Sequence, residues 1–126
     1  MSFATDILSL MTGDSSINAE VEDRIFYENL PDNFDLNLEW ILYHYRRAGQ
    51  SSCLNGANAF RTFEVTVIII TQDTERLEDL TEMVISHLDG NGAGDIIDVV
   101  FTGDGHSFDQ EKNIYMNTLN FDAFAG

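Results

Sequence analysis

Positive charge is what this sequence has least of. Six Lys and Arg stand against 22 Asp and Glu, for a formal net charge of −16. Contacts from Lys and Arg to phosphate supply most of a protein's affinity for nucleic acid, so free binding to DNA or RNA is disfavoured. A basic protein, a divalent cation or a basic substrate is a more compatible partner, and the acidity also keeps a monomer soluble. Cysteine occurs once, at Cys53, which excludes an intrachain disulfide and suits synthesis in a reducing cytosol. Cys53 lies in a polar segment with no charged activator beside it in sequence, so it does not read as a catalytic thiol. No apolar run approaches the length that spans a bilayer, and no membrane partner is expected. Met1 to Met11 lacks the basic start of a signal peptide and is interrupted by Asp6.

Catalytic signatures are missing as well. The chain has no nucleophile elbow, phosphate-cradling glycine loop, HExxH pair or paired-cysteine motif. Ser15, Ser16, Ser51 and Ser52 fall in turn-like stretches whose neighbours name no base. Asp89, Asn91, Gly94 and Ile96 begin like a calcium loop, but Ala93 replaces an oxygen ligand and Val100 replaces the bidentate glutamate. Asp104, His106 and Asp109 bring two carboxylates and an imidazole into one short segment. Asp and Gly there are also what a tight turn requires, and ligands from a single loop make a weak metal site. His44 and His87 read as core or surface histidines. No enzyme activity, cofactor or metal follows from these residues.

What the chain does have is a clear change of period. Phe63, Val65, Val67 and Ile69 alternate with Glu64, Thr66, Ile68 and Ile70, the signature of a strand with one buried face. Gln72, Asp73 and Thr74 break the run. From Glu75 the period turns helical, with Leu77, Leu80, Val84 and Leu88 on one side. Phe3, Ile7, Leu10 and Met11 mark a short first helix between Ser2 and Gly13. Arg24 to Tyr27 is a short strand, followed by a break around Pro31, the only proline. Leu38 to Arg46 is an aromatic-rich strand. Ile96 to Thr102 and Asn113 to Phe124 complete the set, with a flexible Asp89–Gly94 break and a turn at Gly103–His106. These elements predict one α+β domain over residues 1–126, ordered α-β-β-β-α-β-β, with a mainly antiparallel sheet and two helices packed on one face.

Two polar regions stand out. Ala48 to Ala59 forms a connection far longer than the roughly two to five residues usual in hairpins. Arg46, Arg47 and Arg61 lie at its base, half of all the basic residues. Asp73, Glu75, Glu78, Asp79 and Glu82 crowd the start of the second helix. Stabilisation of the helix N-terminus accounts for most of them, but their number suggests an additional exposed acidic face. Trp40, Tyr43, Tyr45, Tyr115, Phe121 and Phe124 read as core or interface material.

The succession of a short N-terminal helix, RIFYENLPDNF, LEWILYHYR, a polar loop, FRTFEVTVIIITQDTERLEDLTEMVISHLDG and a closing HSFDQEKNIYMNTLNFDAF resembles the tail terminator or tail-completion proteins of long-tailed bacteriophages. The related head-tail joining proteins share a similar α+β plan. The resemblance runs from Phe3 to Phe124 in its order of elements. It implies a structural virion protein, assembled in the host cytoplasm and sited in the tail-neck region. It further implies a homohexameric ring that caps the head-proximal end of the tail tube, ends its polymerisation and joins tail to head. Partners would be the tail tube protein and the head-tail connector, with DNA passing through the bore without specific binding. On that basis Arg46, Arg47, Ser52, Cys53, Asn55, Asn58 and Arg61 are expected to meet a partner. Asp73, Glu75, Glu78, Asp79 and Glu82 are expected to face the bore or a partner. The alternatives are a connector or stopper ring of the neck, a small metal-binding domain using Asp104, His106 and Asp109, or a DNA-mimicking inhibitor.

Overall fold

The computed structural model describes residues 3–12, 21, 24–30, 35, 37–52 and 59–125. In chain order the elements are α1 (Phe3–Thr12), β1 (Ile25–Tyr27), β2 (Trp40–Ser52), β3 (Ala59–Thr71), α2 (Thr74–Leu88), β4 (Ile96–Asp109) and β5 (Ile114–Ala125). This is the expected α+β order. The strands form one sheet in the spatial order β1-β2-β3-β5-β4. Short β1 runs parallel to β2, and every other pair is antiparallel.

The alternation in β3 places its odd-numbered residues under the helices. Phe63, Val65, Val67 and Ile69 join Ile41 and Tyr43 of β2, and Leu119, Phe121 and Ala123 of β5, in one buried layer. Leu77, Leu80, Val84 and Leu88 of α2 pack onto it, with Ile7 and Met11 of α1, so both helices cover the same face. Fully burying side chains of this size stabilises the fold by about 1.5–3 kcal/mol each. On the opposite face a smaller cluster gathers Trp40, Ile70 and Ile114, with Phe26, Leu30, Ile68 and Met116 partly buried around it. The Trp40 indole donates to the Asp35 carbonyl at 2.7 Å, which lets a polar ring edge sit in an apolar cluster.

Helix α2 begins at Thr74 because Asp73 caps it, accepting the Glu75 N–H at 2.9 Å. It ends where the Asp89 N–H closes on the Ile85 carbonyl at 2.8 Å. The Asn91 amide then donates to the Ser86 and His87 carbonyls, satisfying acceptors that the helix leaves over. Asp89 and Asn91 therefore terminate a helix rather than form a calcium loop. Asp6, buried in α1, holds the same connection from the other side by accepting the Asp95 N–H at 3.3 Å. Gly94 lies against that carboxylate at φ +57°, where any Cβ would overlap the Asp6 oxygens.

Two stretches differ from the sequence-based expectation. The expected Ala48–Ala59 connection begins and ends as ladder: β2 and β3 stay paired to Ser52↔Ala59, with a bulge between Arg47 and Gly49, and residues 53–58 lie outside the described residues. Likewise Gly103 to His106 is not a turn, because β4 runs on to Asp109 opposite Ile114. Both stretches extend beyond the core, so their backbones are satisfied by cross-strand bonds without apolar alternation to mark them. The actual turn between β4 and β5 spans 110–113. It is capped by the Asp109 carboxylate, which accepts the Glu111 and Lys112 N–H groups at 3.0 and 3.3 Å. Among the described residues, no helix is long and apolar enough to cross a membrane.

An aromatic group closes the core at the α1 end. Phe3 lies 4.1 Å from Phe63 and 4.7 Å from Tyr45, and Tyr27 leans on Tyr43 at 5.4 Å and Tyr45 at 5.7 Å. Removal from water pushes the Tyr27 phenol up to about 12; a hydrogen bond with Glu28 and the charges of Tyr45 and Glu28 act in the same direction. Burial, then Tyr45, raises Tyr43 as well. Because both phenols hold their protons more tightly folded than unfolded, their contribution is complete below about pH 10 and is lost at higher pH, for Tyr27 as pH rises through about 12. Chemical denaturation across pH 9–12 is expected to show stability falling over that interval, and Tyr27→Phe is expected to flatten the fall.

Candidate functional site

The arginines expected at the base of the hairpin divide between the two sheet faces. Arg46 lies on the face away from the helices, where it pairs with Glu64, its neighbour across β3. Arg47 and Arg61 flank the Phe63 ring on the helix face, their guanidinium carbons 5.6 and 5.9 Å from its centroid. Ser52 is the last residue of β2, with its backbone opposite Ala59. Cys53, Asn55 and Asn58 lie outside the described residues.

The acidic residues of α2 separate more usefully. Asp73 is the cap, and Arg76, on the inner side of the helix, reaches Glu39 of the β1–β2 connection at 3.1 Å. Glu75, Glu78, Asp79 and Glu82 are exposed. Glu78, Asp79 and Glu82 form one wall of a groove of about 360 Å³, and Asp104 and His106 of β4 form the other. The same groove continues towards the start of α2 as a space of about 450 Å³ lined by Leu77, Phe108 and Tyr115, with Glu78 and His106 shared between the two. Phe108 packs on Tyr115 at 4.6 Å yet remains 43% exposed. The groove is thus acidic along most of its length and apolar at one end.

Asn117 of β5 fixes its floor. This fully buried amide donates to Thr81 Oγ1 of α2 at 2.9 Å and to Asp104 Oδ2 at 3.0 Å, while its own Oδ1 has no partner. The Thr81 hydroxyl in turn donates to the Leu77 carbonyl at 2.7 Å. A single side chain therefore sets the spacing of helix and strand and orients one groove carboxylate. Neither Asn117 nor the joining of Asp104 to the helix acids was anticipated from sequence. The visible signal was the alternation of Asp104, His106 and Phe108 with Gly103, Gly105 and Ser107, which is a strand pattern.

Only two of the three candidate metal ligands are brought together. Asp104 and His106 share the helix face, with Nε2 to Oδ2 at 3.8 Å, whereas Asp109 caps the turn from the other face. Among the described residues no group of three or more His, Cys, Asp or Glu is arranged to hold a metal ion.

The outer edge of β4 is half closed. The Val99 carbonyl accepts the Gly90 N–H at 2.7 Å and the Phe101 N–H donates to Asp89 Oδ1 at 2.9 Å, so the α2–β4 connection covers residues 99–101. Along residues 103–109, which border the groove, no described strand pairs with this edge. At the far side of the sheet β1 covers β2 only at Ile41–Tyr43. No described strand pairs with the outer edge of β2 from His44 to Ser52.

No known family model matches the sequence, and no curated protein does. Among solved structures, a chain of the virion of a native gene transfer agent (GTA) particle has the same fold, with a TM-score of 0.78 at 14% sequence identity. The match covers 98% of this chain and 94% of that one.

Asn117→Ala is expected to destabilise the protein by about 1–3 kcal/mol, through two lost hydrogen bonds and a small cavity. Urea denaturation measures this. A variant as stable as the parent would show that Asn117 does not hold β4 to α2.

Proposed function

We propose that this protein is a structural component of a phage-like virion. The observation that carries this is the fold, shared over nearly the whole of both chains with a component of a gene transfer agent particle. More specifically, we assign it to a hexameric ring that caps the head-proximal end of the tail tube, stops tube growth and joins tail to head. The order of elements resembles tail terminators, and the surface chemistry suits the role. A cyclic ring needs two different complementary patches on each subunit, and this chain carries an acidic groove on β4 and α2 and arginines on β2 and β3. A formal charge of −16 per copy, repeated around a bore, would let DNA pass without adhering. The same charge opposes assembly at low ionic strength, so ring formation should depend on salt, divalent cations or the tube itself.

Native mass spectrometry over a concentration series, with and without magnesium and combined with negative-stain imaging, tests the ring. A six-membered species with a central bore is the expected result. A protein that stays monomeric even with polymerised tail tubes would remove the assignment, and binding to the portal side without capping tubes would replace it by a neck connector. Reversing Glu78 and Asp79 to Lys, both exposed on α2, should leave the fold intact and lower the yield of infectious particles. Unchanged yield would remove the acidic face from the assembly. Deleting residues 52–58 should spare the fold but weaken tube capping, with overlong tails seen by electron microscopy.

A further inference from the structure

Resting on the ring assignment, we propose how neighbouring copies join: the open edge of β2 in one copy adds to the uncovered half of β4 in the next, bringing Arg47 to the acidic groove. The two stretches with no described strand on their outer side, His44–Ser52 and Asp104–Asp109, lie at opposite edges of the same sheet. Joining them is head-to-tail, the geometry that generates a ring. Strand polarity permits it. β2 and β5 run one way and β3 and β4 the other, so copies in equivalent orientations place β2 antiparallel to the neighbouring β4. With Arg47 across from Asp104 the ladder is confined to His44–Arg47 against Asp104–Ser107: β1 covers Tyr43 at one end, Asp89 and Gly90 occupy the outward groups of β4 at the other, and β2 leaves the neighbour at its bulge after Arg47.

Charge and face agree with this pairing. Arg47 is exposed, opposite Phe63, on the helix side; Asp104 lies opposite Leu119 on that same side. On an acidic surface Arg47 would thus meet Asp104, Glu78 and Glu82, while Arg46 on the other face would meet Gly105, which has no side chain to obstruct it. Within one copy Asp104 stands level with Tyr43, through Leu119 and Val67. Placing Arg47 across from Asp104 therefore slides the neighbour by four residues, about 13 Å. Over four strands spaced about 4.8 Å apart, that stagger tilts the strands by about 35°, as a closed sheet requires.

The test pairs cross-linking with charge exchange. Arg47→Cys and Asp104→Cys are introduced together into a Cys53→Ser background. In one copy these positions are separated by β3 and β5, about 14 Å across the sheet, beyond the roughly 7 Å that a disulfide spans. Mild oxidation should give a ladder of covalent oligomers on a non-reducing gel. Separately, R47E and D104R should each raise the concentration for half-assembly about tenfold or more, and an equimolar mixture of the two should restore it. E82R repeats the test without touching the bond from Asn117. Rings that form in the wild type and in every charge variant, with no ladder from the cysteine pair, would overturn this interface and leave the ring assignment standing. A protein monomeric throughout, without a ladder, would overturn the interface, while tube capping alone would judge the virion role. Loss of tube binding in D104R with normal assembly would give the groove to the tube protein and also overturn it.

Discussion

Strand β3 is hydrogen-bonded on both sides and packed on both faces, so the position of every other element is set relative to it. Its odd-numbered residues carry the main core and its even-numbered Ile68 and Ile70 carry the smaller one. A slip of one residue against either neighbour would turn Phe63, Val65, Val67 and Ile69 out from under the helices. The long registers from Trp40↔Ile70 to Ser52↔Ala59, and from Arg61↔Ala125 to Thr71↔Tyr115, follow from that constraint. The helices then have one place to go. Their apolar stripes must cover the odd face, and this leaves the acidic side of α2 standing over β4.

Polar pins adjust this arrangement where apolar packing alone would leave it loose. Asp6 ties α1 to the Gly94–Asp95 bend, and Asn117 ties α2 to β4. Each has a buried oxygen without a partner, Oδ1 in both cases. Such groups cost stability. Each nonetheless fixes a helix against a segment that apolar contacts reach poorly, and the groove owes its width to the second.

How much of this was written in the sequence depended on whether a residue touches the core. The buried stripe of α2 and the alternation of β3 were legible, because one face apolar and one face polar leaves a period. Ladder beyond the core leaves no apolar period, only a fainter alternation such as Asp104, His106 and Phe108 with Gly103, Gly105 and Ser107. Gly49 to Ser52 and Gly103 to Asp109 are satisfied by cross-strand backbone bonds that do not depend on apolar side chains, so glycine and polar residues there looked like loops. The acidic cluster was legible as composition, but its meaning was not. Asp73 proved to be a cap, whereas Glu78 and Glu82 acquired a partner wall only when β4 passed through the apparent turn. Asn117 was silent for a different reason: one asparagine in a strand carries no pattern, and its role arises from contacts 36 and 13 residues away.

The strand order has a further consequence, for synthesis. β5 is the last strand of this sheet in chain order, yet it fills the gap between β3 and β4. Without it, a β2–β3 hairpin would show the bare backbone of Val65, Val67 and Ile69 on its far side, and β4 would lack its strand partner. Such an unpaired apolar edge is the kind of surface on which nascent chains associate wrongly. The complete sheet can therefore close only once β5 has been made. Mutual repulsion from a net charge of −16 opposes such contacts between half-finished copies.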